Sequence, residues 1–180
     1  NPELTSKLLE LLSSYDAIAT FFCTGKNAVS YPHLIEEISK QGHIVGNHTY
    51  GHSKVFDLFS SSHMNKEIEQ TNTIINEIIG KYPMLFRPPY GVTNPMLRKA
   101  LKKTNMISIG WSLRSLDTVK KSEDVISKLK SKTNSGDIVL FHDTIDQTVS
   151  IVEDYLIWLK ENNYKVVSLT SLLKIPAYED

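Results

Sequence analysis

Cysteine is nearly absent from this sequence, since Cys23 is the only one among 180 residues. A single thiol forms no disulfide within the chain, so no intrachain cross-link is available to stabilise the fold. Cys23 ends the apolar run 18–23, where we expect a buried and unreactive thiol rather than an activated nucleophile.

An excess of either charge is also missing. The 20 Lys and Arg residues are matched by 20 Asp and Glu residues. The strong positive field typical of proteins that bind nucleic acids or anionic membranes is therefore absent from the overall balance, and we predict no nucleic-acid partner.

Long hydrophobic runs are absent as well. No stretch approaches the roughly 20 apolar residues that are needed to span a bilayer, so the sequence predicts no transmembrane segment. The chain also lacks the basic start and following apolar run that indicate a signal peptide.

The residues that are present suit a globular α/β protein. Hydrophobic residues make up 41% and charged residues 22% of the chain, which is enough to bury a core, and we predict one domain over residues 1–180. The leucines from Leu4 to Leu12 have helical spacing. Strands are predicted at 17–23, 43–47, 84–87, 106–111, 137–141 and 165–169. Further helices are predicted at 31–40, 64–79, 94–103, 122–132 and 148–161.

Most of the predicted strands are apolar throughout rather than alternating, which indicates that both of their faces are covered. The alternation of strand and helix is typical of a parallel sheet, either closed into a barrel or open as a layered sheet. We favour a (β/α) barrel. Its functional residues are expected in the loops after the carboxyl ends of the strands.

His48 and His52 follow the second predicted strand and are four residues apart. On a helical turn both imidazoles would face the same way and approach one metal ion, and imidazole nitrogen is a favoured ligand of zinc. The pair alone is weak evidence, because chance often produces this spacing and a catalytic metal needs a third protein ligand.

Arg87 ends the next predicted strand and is followed by Pro88 and Pro89, which stiffen the loop and have no backbone N–H. The Tyr90 amide is the next donor. Such a loop would direct this amide at a developing oxyanion while the Arg87 guanidinium holds a carboxylate. The alternative is a proline turn with a surface arginine.

His142 directly follows the predicted strand 137–141 and is next to Asp143, and Asp117 follows a strand within 111–117. A nearby aspartate favours the protonated form of a histidine, which suits a general acid. The alternative is that each residue is a hydrogen-bonded polar group at a strand end, with no catalytic role.

Together these clusters resemble the polysaccharide deacetylases of carbohydrate esterase family 4, which contain the NodB-like domain. The resemblance covers nearly the whole chain. Its elements occur in the family's order: Ala19-Thr20-Phe21-Phe22 with Gly25, the His-Thr-x-x-His group at 48–52, Arg87-Pro88-Pro89-Tyr90-Gly91, the strand leading to Asp117, and the run 136–143. Several weak patterns in one fixed order make a strong indication.

The resemblance implies a distorted (β/α) barrel and metal-dependent deacetylation of N-acetylglucosamine polymers such as peptidoglycan or chitooligosaccharides. An acetylxylan O-deacetylase is the nearest variant. The metal would be divalent, commonly zinc, with His48 and His52 as ligands and a metal-activated water attacking the acetyl carbonyl. We expect a monomer that acts on a polysaccharide or oligosaccharide, secreted or in the cell envelope.

The resemblance also implies a role for each remaining site residue. His142 would be the general acid that protonates the leaving amine, and Asp117 would tune it. Arg87 would orient the catalytic base, and the Tyr90 amide would join the metal in stabilising the oxyanion. Leu140 would line the pocket for the acetyl methyl group.

The family's first motif, a strand ending in two adjacent aspartates that act as catalytic base and third metal ligand, does not occur in this sequence. The stretch 1–5 resembles the segment that follows these aspartates in relatives, so we expect the pair and the first barrel strand upstream of Asn1. Two residues depart from the family's pattern in ways that concern the substrate groove. Thr118 stands where many members have tryptophan, and Arg114 stands where an acidic residue is frequent.

Other functions stay open at this point. A carbohydrate-binding module without catalysis would follow if the aspartate pair is absent from the protein. A structural metal domain is poorly supported, because the histidines and one cysteine do not supply four ligands at suitable spacing. His33, His43 and His63 match nothing in the family's site and are predicted at the surface or at helix ends, and Asp143 is open to a structural role.

Overall fold

Helices and short strands alternate along residues 2–179, the part of the chain that the computed structural model describes. The helices are α1 (Pro2–Ser14), α2 (Gly25–Ser30), α3 (Pro32–Lys40), α4 (Ser61–Ile79), α5 (Pro95–Lys103), α6 (Ser122–Lys132), α7 (Gln147–Glu161) and α8 (Leu169–Leu173). The strands are β1 (Thr20–Cys23), β2 (Ile44–Asn47), β3 (Leu85–Phe86), β4 (Ile107–Ser108), β5 (Leu113–Arg114) and β6 (Val139–Leu140).

These elements group into two compact units. The four-stranded unit comprises Ala19–Gly110 and Ser168–Asp180, and the two-stranded unit comprises Asn1–Ile18 and Trp111–Val167. None of the helices within residues 2–179 combines the length and the apolar character required to cross a membrane. That the chain forms one domain stays a prediction.

The four-stranded unit is built on a parallel sheet with the strand order β1-β2-β3-β4. Thr20 pairs with Ile44 in β1 and β2, and Leu85 pairs with Ile107 in β3 and β4. Because every pair is parallel, the carboxyl ends of the strands lie at one edge of the sheet. The segments that follow Asn47 therefore emerge at the edge where Arg87 begins the next loop.

The two-stranded unit contains the parallel pair of β5 and β6, in which Leu113 pairs with Val139 and Arg114 with Leu140. Residues 115–117 and 141–142 therefore follow neighbouring strand ends on the same side of this pair. The other elements of the unit are α1, α6 and α7, and α1 and α6 each pack against α7.

Helix α4 provides much of the core of the four-stranded unit. Its amino end is capped by the Ser60 hydroxyl, which accepts a hydrogen bond from the His63 N–H, and it ends at Gly80 in a left-handed conformation that glycine adopts without strain. Its buried face contributes to a cluster with strand β3 and helix α5, made of Phe56, Met64, Ile68, Phe86, Leu97, Ala100, Leu101 and Met106.

The predicted helices agree closely with these bounds, whereas the predicted strands are too long. Each confirmed strand is two to four residues long, because only those residues pair with a neighbour. The strand predicted at 165–169 is wrong. The Ser168 hydroxyl accepts a hydrogen bond from the Ser171 N–H and so begins helix α8 instead. Helix α2 was not predicted.

His43 is buried, with 5% of its surface exposed, so of its two predicted positions the surface is wrong; it lies just after the end of helix α3, where its N–H donates to the Ile38 carbonyl at 3.1 Å. It directly precedes β2, where its Nδ1 accepts a hydrogen bond from the Ala19 N–H at 3.3 Å. Burial lowers its pKa, which favours the neutral ring. His33 and His63 are exposed, as predicted, and Cys23 is half-buried rather than buried.

The core assignment of helix α4 predicts a large loss of stability for Ile68→Ala. The Ile68 side chain is fully buried, so its truncation is expected to lower the free energy of unfolding by about 2–5 kcal/mol. Urea denaturation measures this change. Thr73→Ala, on the exposed side of the same helix, is the matched control and should shift it by less than about 0.5 kcal/mol. Similar losses in both variants would contradict the assignment.

Candidate active site

The two candidate metal ligands lie in a loop of five residues, 48–52, which we call the histidine loop. It begins directly after β2 and is irregular, with positive φ angles at Thr49 (67°) and His52 (48°). The prediction of a helical turn is therefore wrong, because the backbone groups of this loop bond to neighbouring elements rather than to one another. The predicted approach of the two imidazoles still occurs.

The rings of His48 and His52 have centroids 4.7 Å apart. His48 Nδ1 lies 2.6 Å from the Arg87 carbonyl oxygen. A carbonyl only accepts hydrogen bonds, so Nδ1 carries the proton and donates. In the neutral ring the lone pair is then on Nε2, as in histidines whose second nitrogen binds a metal.

The amino end of helix α2 supports the histidine loop from one side. The Gly25 N–H donates to the Thr49 carbonyl at 2.9 Å, and the Lys26 N–H donates to the Tyr50 carbonyl at 3.1 Å. Only glycine fits at position 25, because a Cβ atom there would lie 2.5 Å from Tyr50 Cδ2 and 2.7 Å from Thr71 Oγ1.

A buried amide network supports the same loop from the sheet. Asn47, fully buried at the end of β2, donates to Asn72 Oδ1 at 2.6 Å and to the Ile68 carbonyl at 2.8 Å. Its own Oδ1 accepts the Thr49 N–H at 2.8 Å, and Thr49 Oγ1 accepts the His52 N–H at 3.1 Å. Sequence reasoning missed this network, although an asparagine ending an apolar strand was a signal for it.

Arg87 is buried rather than at the surface, with 9% of its area exposed. Its Nε donates to the Ile109 carbonyl at 3.2 Å and its Nη2 to the Gly110 carbonyl at 2.9 Å. The guanidinium lies over the Phe22 ring, 4.2 Å from its centroid. Burial lowers the pKa of Arg87 to about 10, so the group stays charged at neutral pH. The guanidinium is thus a cation fixed between the Phe22 ring and the two carbonyls that follow β4.

Tyr90 lies in a 3-10 turn, Pro89–Gly91, with a left-handed φ of 57°. Its side chain is 58% exposed. The ring meets His52 edge to face, with centroids 5.0 Å apart. The structure thus brings Tyr90, His52, His48 and Arg87 into one cluster of the four-stranded unit.

Asp117 and His142 form a hydrogen-bonded pair in the two-stranded unit. Asp117 Oδ1 lies 3.0 Å from His142 Nδ1, and Asp117 Oδ2 accepts the His142 backbone N–H at 2.7 Å. Asp117 is fully buried, while 37% of the His142 side chain is exposed. An ionised carboxylate only accepts hydrogen bonds, so His142 Nδ1 carries a proton and donates it to Asp117 Oδ1 in a hydrogen bond. The other ring nitrogen, His142 Nε2, is then the one that can exchange a proton.

Two further side chains donate to the Asp117 carboxylate, and sequence reasoning found neither. Ser115 Oγ donates to Oδ1 at 2.8 Å, and Thr148 Oγ1 donates to Oδ2 at 3.1 Å. Burial alone would raise the pKa of Asp117, but the hydrogen bonds from His142 and Ser115 outweigh it and lower the pKa. The carboxylate is therefore ionised at neutral pH.

Leu140 and Asp143 flank this pair along the chain. Leu140 is buried on β6, two residues before His142. Asp143 Oδ2 accepts a hydrogen bond from Thr5 Oγ1 at 2.6 Å. This contact agrees with the structural role that the sequence left open for Asp143. The role of Leu140 toward an acetyl methyl group stays a prediction.

The histidine loop fits a metal ion in part. Two imidazoles with centroids 4.7 Å apart, one of them held through Nδ1, suit zinc. Among residues 2–179, however, no three His, Cys, Asp or Glu side chains form a group that could hold a metal. His48 and His52 are therefore two candidate ligands, which no third His, Cys, Asp or Glu among residues 2–179 joins.

The sequence matches the family model for polysaccharide deacetylases over residues 1–109. The chain belongs to the polysaccharide deacetylase family. Two peptidoglycan-N-acetylglucosamine deacetylases of Bacillus cereus are 29% and 33% identical to it, over 96% and 97% of this chain. The chain spans 64% of the length of the first of them and 84% of the second.

Solved structures of polysaccharide deacetylases have the same fold. The peptidoglycan deacetylase PdaC from Bacillus subtilis is 28% identical, with a TM-score of 0.89 over 97% of this chain and 85% of that one. BA3943, a family 4 pseudoenzyme from Bacillus anthracis, is 28% identical, with a TM-score of 0.88 over 95% of this chain and 60% of that one. A mutant of BA3943 has restored enzymatic activity. The expected α/β fold and the NodB-like domain of carbohydrate esterase family 4 are confirmed.

The lowered pKa of Asp117 predicts how the stability of this chain depends on pH. A carboxyl group whose pKa lies below its ordinary value of 3.8 stabilises the fold above that pH and loses this contribution as the pH falls through its folded-state pKa. The free energy of unfolding should therefore fall below about pH 4, and more steeply in the wild type than in Asp117→Asn.

Urea denaturation from about pH 2 to pH 7 measures both curves. Asp124→Asn, an exposed position in the first turn of α6, is the matched control and should follow the wild type. An Asp117→Asn curve parallel to that of the wild type would contradict the ionised, hydrogen-bonded carboxylate.

Proposed function

We propose that this chain is the catalytic part of a metal-dependent deacetylase that hydrolyses N-acetyl groups of an N-acetylglucosamine polymer, of the peptidoglycan or chitin type. The observation that carries the proposal is the pairing of His142 Nδ1 with the buried Asp117 carboxylate directly after strand β6. Relatives named for peptidoglycan deacetylation support the class of substrate.

His142 is proposed as the general acid. Hydrolysis of an acetamide releases an amine, which leaves poorly until its nitrogen is protonated. Asp117 orients the ring through Nδ1, as a buried carboxylate does for the catalytic histidine of other hydrolases. The other ring nitrogen, Nε2, then delivers the proton to the leaving amine.

His48 and His52 are proposed as ligands of a divalent metal, with zinc as the expected ion. A metal held there would polarise the acetyl carbonyl and lower the pKa of a bound water. The Arg87 carbonyl keeps the His48 ring in the tautomer that such a role requires.

Arg87, Tyr90 and Leu140 are proposed to position the reacting groups. The Arg87 guanidinium is fixed by two carbonyls and the Phe22 ring, so it offers its charge to the carboxylate of the catalytic base in one orientation. The Tyr90 amide would stabilise the oxyanion, and Leu140 would contact the acetyl methyl group.

A carbohydrate-binding protein without catalysis is the second candidate. The pseudoenzyme BA3943 shows that this fold also occurs without activity. The lack of a third candidate ligand among residues 2–179 favours the same possibility for this chain. The two candidates differ in turnover, whereas both allow sugar binding.

The proposal predicts different defects for His142→Ala and His48→Ala in the protein as its gene encodes it. His142→Ala should lower turnover on a chitooligosaccharide by about 100-fold or more, because it removes the proton donor, and should leave zinc affinity unchanged. His48→Ala should weaken zinc binding by at least about tenfold and lower turnover as well. Released acetate and zinc competition with a chelator measure the two effects.

One variant and one substrate comparison serve as controls. His33→Ala, at an exposed histidine, should change neither turnover nor zinc affinity. Equal loss of zinc in His142→Ala and His48→Ala would refute the division of roles, and no acetate release by the wild type would leave sugar binding as the function. Faster release from acetylated xylan than from N-acetylated polymers would identify an O-deacetylase.

A further inference from the structure

We propose that Glu67 is a positioning residue that holds the histidine loop in its ligand-presenting form. This inference rests on the proposed function, because it concerns the two histidines assigned to the metal. Glu67 lies on helix α4, and its Oε2 accepts the Tyr50 N–H at 3.1 Å and the Gly51 N–H at 2.9 Å. Both amides belong to residues that separate His48 from His52.

The backbone of the histidine loop shows why this carboxylate matters. The His48 N–H donates to the Cys23 carbonyl at 2.9 Å. The Thr49 N–H is bonded by Asn47 Oδ1, and the His52 N–H by Thr49 Oγ1. The amides of residues 50 and 51 are the two that remain, and a single oxygen of Glu67 accepts both.

A charged acceptor is suited to this position. Two N–H groups that point at one oxygen form charge-assisted hydrogen bonds, which are stronger than bonds between neutral groups. The acceptor also comes from a rigid element, because Ile68 beside it is fully buried and Thr71 Oγ1 donates to the Glu67 carbonyl at 3.0 Å. Glu67 therefore ties the middle of the loop to the core of the four-stranded unit.

The separation of the two imidazoles depends on this tie. His48 is held by the Cys23 carbonyl of β1 and by the Arg87 carbonyl, and residues 49–51 join it to His52, so a change in the backbone of these residues moves one ring relative to the other. Without Glu67 the middle of the loop would sample other conformations, and His52 would spend less time near His48. A metal site loses affinity when its ligands are no longer held in place.

The test uses Glu67→Ala, Glu67→Gln and Glu67→Asp in the protein as its gene encodes it. Glutamine keeps an acceptor oxygen at the same reach without the charge, and aspartate keeps the charge but is one methylene too short. Glu69→Ala is the matched control, since Glu69 is exposed on the same helix. The measurements are hydrogen exchange of the Tyr50 and Gly51 amides by NMR, zinc affinity, and kcat with KM.

We expect faster exchange of the Tyr50 and Gly51 amides in Glu67→Ala and Glu67→Asp, with zinc binding weakened by about tenfold or more. Turnover at saturating substrate and limiting zinc should fall with the zinc affinity, whereas KM for the oligosaccharide should stay the same. Glu67→Gln should retain zinc affinity within about threefold, because an amide oxygen still accepts both bonds. Glu69→Ala should match the wild type in every measurement.

Unchanged exchange or unchanged zinc affinity in both Glu67→Ala and Glu67→Asp would overturn the inference. If Glu67→Ala fails to fold, the comparison of the glutamine and aspartate variants decides, and equal zinc affinity in those two would overturn it as well. Failure of the proposed function is recognised separately, since the wild type and His48→Ala would then bind zinc equally.

Discussion

Backbone groups at the carboxyl end of a parallel sheet lose their strand partners where the sheet stops, and buried peptide groups must still be paired. Strands β1 and β2 stop at Cys23 and Asn47, and the chain beyond β2 then bonds to the Cys23 carbonyl and to three further partners. The amino end of α2, the Asn47 side chain and a carboxylate on α4 supply these partners. The placement of both candidate ligands follows from this pairing rather than from any regular element.

Burial of the Asp117 carboxylate imposes the same kind of constraint on the two-stranded unit. An ionised group without solvent is tolerated only when donors surround it. His142 provides two of these donors, so the requirement that keeps the aspartate charged also sets the orientation of the histidine ring. Structural necessity and the proposed chemical role therefore coincide in one pair of residues.

Much of the fold and of the candidate site could be predicted from the sequence, because the patterns that indicate them lie within short stretches of the chain. The alternation of apolar runs and amphipathic stretches indicated the α/β class, and helix α6 was predicted with both of its bounds. Two pairs of site residues, His48 with His52 and Asp117 with His142, stood out by residue type and by position after strands. The prediction that failed was the helical turn at 48–52. Thr49 has a positive φ there, in a loop that is held by groups distant along the chain.

The partners of the site residues escaped prediction because they are distant along the chain. Glu67 follows Gly51 by 16 residues, and Thr148 follows Asp117 by 31. The contacts of Gly25 show how such distant partners limit the substitutions that a sequence can accept. Alanine at position 25 would collide with Tyr50 and with Thr71 Oγ1, so this glycine can be replaced only after both neighbours have changed. A lineage that replaces this glycine has to reduce the side chains at positions 50 and 71 first, and the order of these substitutions is thereby constrained in evolution.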